Sequence, residues 1–188
     1  MISEAKKPWL RLTPTMKRVA KDNKAQIIVE IPVVQFLEIT TTPEMFREIL
    51  DQAHTLQKYN RWAKIGDDDD FYQHVNKGRN ADNKEYGSII MPFLKIYLDK
   101  NGIGQIKGHE GRHRAAALLK SGQEYMPVAL MITPYDGMFP NVYNDIYMIT
   151  SEHMPNYVVG QYDKNIYATD KWKVIDGDMQ SVVRNRML

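Results

Sequence analysis

From Gln26 the chain reads QIIVEIPVVQFLEI, a run rich in β-branched residues and broken by Pro32. This predicts a strand followed by a turn or a short second strand. In the next segment Met45, Ile49, Ala53 and Leu56 recur at helical spacing, with Phe46 and Leu50 widening the apolar face. Thr42 before Pro43 has the form of an N-cap followed by proline at the first helical position, so a helix is expected from Pro43 to about Gly66. Residues 66–88 are polar and hold four consecutive aspartates, Asp67 to Asp70. They read as a loop with a short helical piece around Phe71–Val75. IIMPFLKIYLD is strand-like, with Pro92 marking a bend or an edge, and Asn101-Gly102 is a hairpin signal that returns the chain into the short strand IGQIKG. Gly108 to Gly111 then read as a turn, Arg112 to Lys120 as a helix closed by Gly122, and MPVALMI as a buried strand. Beyond Pro134 the pattern supports only short strands, loops and one helix at most. The fold class expected is α/β (α+β), a small mixed sheet with packed helices. It divides into a basic arm at 1–25, a central unit at 26–133, and an extension at 134–188 packed on the same domain.

Composition narrows the function. The chain has 188 residues, 43% of them hydrophobic, enough for one self-sufficient core. It has no cysteine, which excludes disulfides, thiolate nucleophiles and Cys-based zinc sites. No apolar run is long enough to span a bilayer and the N-terminus lacks a hydrophobic segment, so a soluble cytoplasmic protein with no membrane partner is expected. The net charge of +2 is unevenly spread. Lys6, Lys7, Arg11, Lys17, Arg18, Lys21 and Lys24 face only Glu4 and Asp22, so the first 24 residues form a basic arm. Such an arm suits a polyanion, because Lys and Arg displace condensed counterions from phosphates; a solubilising tail is the plainer reading. Trp9 could stack on a base or anchor the arm.

The passage that carries chemistry is GHEGRHR. A strand that enters a glycine turn and opens a helix gathers unpaired backbone N–H groups at the positive end of a helix dipole, a setting that binds phosphate. Arg112 and Arg114 flank His113 there, Lys107 and His109 lie close by, and Gly108 and Gly111 let the backbone approach an anion. The candidate phosphate ligands are therefore Lys107, Gly108, Gly111, Arg112 and Arg114. His113 or His109 would serve as acid or base, and Glu110 would orient a water or a metal. Two readings compete. HEGRH matches the HExxH zinc-hydrolase pattern, but its glycines and the strand-like text before it argue against the established helix that motif needs. The plainest alternative is a helix start with arginines on solvent and a salt bridge to Glu110. Elsewhere, Asp67–Asp70 reads as a solvated loop rather than a cation site, His54 and His74 as surface or packing residues, and Asp176 and Asp178 as a tight turn.

Residues 89–132 resemble the core of the ParB/sulfiredoxin superfamily, in which a strand, a hairpin and an Arg-rich turn precede an Ala-rich helix. Glu110, Arg112, Arg114 and Ala115 match the ParB-like turn; Gly111, His113 and Arg114 match the sulfiredoxin-like one in a different register. The similarity covers residues 26–133 and is specific over 104–130. It implies a fold whose Arg-rich turn holds nucleotide or nucleic-acid phosphates, in a nuclease or nucleotide hydrolase, or in a non-catalytic DNA- or protein-binding module. Mg2+ is the cofactor such chemistry would take, and no zinc is expected. Arg112 stands where the sulfiredoxin pattern has its cysteine, so that chemistry is excluded, and no helix-turn-helix text follows residue 133. Short stand-alone versions with such a turn resemble phage or mobile-element proteins, which would act in the host cytoplasm.

Overall fold

The computed structural model describes residues 25–53, 74–79, 85–138, 146–177 and 182–184. The basic arm up to Lys24, His54, Asp67–Asp70 and Asp178 lie outside the described residues. A mixed sheet of seven strands forms the body: β1 (Ile27–Pro32), β4 (Phe93–Leu98), β5 (Ile103–Glu110), β6 (Tyr125–Thr133), β8 (Tyr157–Val159), β9 (Ile166–Ala168) and β10 (Lys173–Asp176). Their order across the sheet is β10-β1-β6-β4-β5-β8-β9. Most neighbours run antiparallel; β4 with β6 and β5 with β8 run parallel. Strands from both sides of residue 133 therefore share one sheet. Two smaller pairings accompany it, β2 (His74–Arg79) with β3 (Glu85–Ile90), and β7 (Ile146–Met148) with β11 (Val182–Arg184).

Register places Ile27 and Val29 of β1, Val128 and Leu130 of β6, and Leu94 and Ile96 of β4 on one face. All six are buried, in one core with Phe36, Leu37, Ala115 and Leu118 of the helices α1 (Val33–Thr40) and α3 (Arg112–Lys120). A third helix, α2 (Pro43–Gln52), packs against α3. Gln26 lengthens the central ladder with its side chain: Nε2 donates to the Ile132 carbonyl at 3.2 Å and Oε1 accepts from the Ile132 N–H at 2.9 Å. A buried amide is tolerated there because both of its ends are paired.

Local chemistry explains several boundaries. Thr40 and Thr41 hydroxyls donate to the Phe36 and Leu37 carbonyls at 2.7 and 2.5 Å, closing α1, and Thr42 Oγ1 accepts from the Met45 N–H at 3.2 Å, opening α2. Three consecutive threonines thus end one helix and begin the next. At the end of α3 the N–H of Gly122 donates to the Leu119 carbonyl and that of Gln123 to the Leu118 carbonyl. That pair of bonds is a Schellman closure around a residue with φ +79°, as glycine permits.

Four expectations are corrected. VVQFLEIT is a helix rather than a turn or second strand, because Val33, Phe36, Leu37 and Thr40 bury one helical stripe, which outweighs β-branched preference. The helix from Pro43 stops at Gln52, where Ala53 turns extended, well short of Gly66. Residues 74–79 and 85–88, read as loop with a helical piece, are strands of the β2–β3 hairpin. And β5 continues through Gly108 to Glu110, so the turn before α3 is a single residue, Gly111. Pro92 lies in the two-residue break between β3 and β4, and β4 is a central strand, not an edge.

Candidate functional site

The site begins with an irregularity in β5. Ile106 pairs with Ile96 and Gly108 with Lys95, so β5 carries one residue more than β4 across this step. A bulge of this kind shifts the in-out alternation by one. Gly104 and Ile106 face the helices; beyond the bulge His109, opposite Leu94, takes that side in place of Gly108 and Glu110. His109 is thereby aimed at the helical layer, half-buried, rather than at the opposite face. Lys107, at the bulge, is exposed, and Gly108 is half-buried.

Gly111 then reverses the chain with φ +112°, ψ 10°, and opens α3 with no side-chain cap. A Cβ there would stand 2.9 Å from Pro92 Cβ, so both the dihedral and the space call for glycine. Glu110 fills part of the polar demand of this turn. Its Oε1 accepts the Gly111 N–H at 3.2 Å and lies 3.9 Å from Arg114 Nη2.

The two arginines have separate fates. Arg112 is half-buried, with Nη1 at 3.5 Å from the Thr40 carbonyl at the negative end of α1. Arg114 is 1% exposed, on a helix whose Ala115, Ala116, Ala117 and Leu118 are buried with it. It does not sit on solvent beyond the buried face, and its environment is that of a packed guanidinium facing Glu110. His113 is exposed on the first turn of α3. The HEGRH segment therefore spans a strand end, a left-handed glycine and a helix start, and does not present both histidines from one helical face. Among the described residues no group of three or more His, Asp or Glu is disposed to hold a metal.

A contact absent from any local motif completes the site. His109 Nδ1 lies 2.5 Å from Oε1 of Gln161, in the turn between β8 and β9, and the His109 ring meets Tyr162 edge-on at 6.5 Å. No protein-family model, curated protein or solved structure matches the chain. Burial holds the His109 pKa below its ordinary 6.5, and the Arg112 charge adds to the effect against Gln161 and Glu110, which oppose it. The ring is neutral at neutral pH, as a proton acceptor needs to be.

Beside this turn, a cavity of about 400 Å³ opens between the α1–α2 junction and the β8–β9 turn, lined by Glu38, Thr42, Arg47, Asp163 and Tyr167 among others. Partial burial and the facing Asp163 raise the Glu38 pKa. Tyr167 donates its hydroxyl to Asp163, and its pKa is pushed up to about 12, chiefly by burial and then by that carboxylate. None of the turn residues lines this cavity. Nothing in the spacing of GHEGRHR pointed to Gln161 or Tyr162; a glutamine and a tyrosine in a polar stretch carry no signal until the sheet brings β8 beside β5.

Proposed function

We propose that the chain is a phosphate-binding α/β protein of ParB-like type, acting on nucleic acid or a nucleotide through the turn between β5 and α3. The observation that carries this is the uncapped, glycine-opened N-terminus of α3, whose first turn holds Arg112 and His113, with Lys107 exposed farther back on β5. Arg112 supplies the fork of donors for phosphate oxygens, the backbone from Arg112 onward supplies N–H groups, and Arg114 holds Glu110 in place. His109, neutral and half-buried, is the better acid–base candidate; His113 serves at the solvent side. A carboxylate at the mouth of the turn also favours Mg2+ as a bridge to phosphate. A non-catalytic binding module is the second reading, favoured by the engagement of Glu110, the local carboxylate, with Gly111 and Arg114.

The test is a binding and turnover panel of nucleotides and single- and double-stranded nucleic acids, with and without magnesium, on the chain and on Arg112→Ala. Binding lost in the variant supports the reading, and turnover separates enzyme from module. Equal affinity of both proteins for every anion would refute it. If the basic arm adds contacts to duplex DNA, deleting residues 1–24 should flatten the salt dependence of binding by about four in log–log slope, at roughly 0.9 per phosphate contact.

A further inference from the structure

We propose that Gln161 is the positioning residue of His109: its amide oxygen accepts the Nδ1–H and leaves the Nε2 lone pair as the working proton acceptor of the β5–α3 turn. This deepens the phosphate-site reading and rests on it for the identity of the reaction, but not for the geometry. Three observations carry it. The β5 bulge turns His109 from the alternation it would otherwise follow toward the helical layer. Its Nδ1 meets Gln161 Oε1 at 2.5 Å across 52 residues of sequence. Gln161 is itself held from two sides, its N–H donating to the Ile39 carbonyl at 2.9 Å and its own carbonyl accepting from Lys164 Nζ at 2.8 Å. The preceding Gly160 N–H donates to the Asn165 carbonyl at 2.9 Å, which closes the turn beneath it.

An imidazole with one nitrogen committed to a fixed acceptor has its tautomer chosen for it, and the other nitrogen is left to do chemistry. The charged and titratable groups about the ring are Glu110 on its own strand, Arg112 from α3 and Tyr162 from the β8–β9 turn. Burial, the largest effect, and Arg112 both oppose protonation of the ring, whereas the Gln161 bond and Glu110 favour it; the ring stays neutral. Neutrality alone leaves two tautomers open, and Gln161 selects between them. Tyr162 packs on the ring edge without taking a ring nitrogen.

The decisive measurement is a nitrogen–proton correlation spectrum of the chain labelled in its five histidines, with His109 assigned by its disappearance in His109→Gln. At pH 7.5 His109 should show the Nδ1–H tautomer as a single species. In Gln161→Leu the same ring should become a mixture weighted to Nε2–H, whereas Tyr162→Ala should leave it unchanged. Gln161→Glu, which keeps an acceptor oxygen and adds charge, should restore Nδ1–H and raise the His109 pKa. An Nε2–H tautomer in the unaltered chain, or an identical spectrum after Gln161→Leu with the fold intact, would overturn the proposal. The spectrum needs no ligand, so a failure of the phosphate reading in the binding panel is distinguishable from a failure of this one. Should turnover be found, Gln161→Leu should lower kcat at least tenfold with KM little changed, and Gln161→Glu should recover most of it.

Discussion

At the residue scale, Gly111 and His109 show how much a single position decides. Gly111 combines a left-handed φ of +112° with a Cβ position 2.9 Å from Pro92. Gly111→Ala should destabilise the fold by about 1–3 kcal/mol, the cost of a strained dihedral joined to a contact that must shift. A denaturant titration checks this; an unchanged midpoint would mean the turn relaxes freely. His109 makes a signed pH prediction. Its folded pKa lies below the ordinary 6.5, so between those two values the unfolded chain binds the extra proton. Stability from this group is therefore fully present above pH 6.5 and declines as pH falls from there toward the folded value. His109→Gln should show a flatter decline of melting temperature as pH falls below 6.5 than the unaltered chain. Gly111 and Arg114 differ in how far they were legible. Gly111 stood out because a glycine before RHRAAALLK is a local signal, whereas the burial of Arg114 did not, since a guanidinium three residues farther along carries the same letters whether wet or packed.

At the scale of the element, α3 separates binding from folding. Arg112 is half-buried at its first position and Arg114 is enclosed in the core-facing side. Arg112→Ala should lower anion affinity by about 1.5–3 kcal/mol, the worth of charge-assisted bonds, with the melting temperature little changed. That is roughly tenfold to a hundredfold in Kd. Arg114→Ala should instead lower the melting temperature, because it empties a buried site and strips Glu110 of its guanidinium. Glu110→Gln tests the competition at the turn. Without magnesium the carboxylate accepts the Gly111 N–H and repels an incoming anion, so its removal should tighten anion binding; with magnesium present its removal should weaken binding, because the bridge to phosphate is lost. The hairpin at Asn101-Gly102, the Thr42–Pro43 helix start and the Gly122 stop were all readable because each is settled within a few residues by caps and turns. The VVQFLEIT segment was not, since its β-branched letters favour a strand and only burial of the Val33, Phe36, Leu37 and Thr40 stripe decides for a helix.

At the scale of the molecule, the sheet is completed from the last third of the chain. β10 pairs with β1 at one edge, while β8 and β9 extend the other beyond β5. Trp172 fastens this return. It is 5% exposed, its Nε1 donates to Gln35 Oε1 at 2.7 Å, and Gln35 Nε2 donates to the Ala168 carbonyl at 2.8 Å. Trp172→Ala should cost about 3–5 kcal/mol, as large aromatic truncations in cores do. It should lower the melting temperature of the whole unit in one transition; a separate early transition would mean that the C-terminal strands unfold on their own.

What the sequence by itself determined was local: the mixed α/β character, the hairpin, the glycine-opened α3 with its arginines and histidines, and the buried β6. Each follows from hydrophobic period, capping and turn chemistry, which act over a few residues and leave their mark in consecutive letters. Tertiary structure alone decided which side of the sheet His109 faces, because one bulged residue reverses the alternation of everything beyond it. It alone buried Arg114, and it alone set Gln161 against His109, since β8 comes to lie beside β5 only through a pairing of strands some fifty residues apart. Such contacts depend on register and packing, which no window of sequence contains.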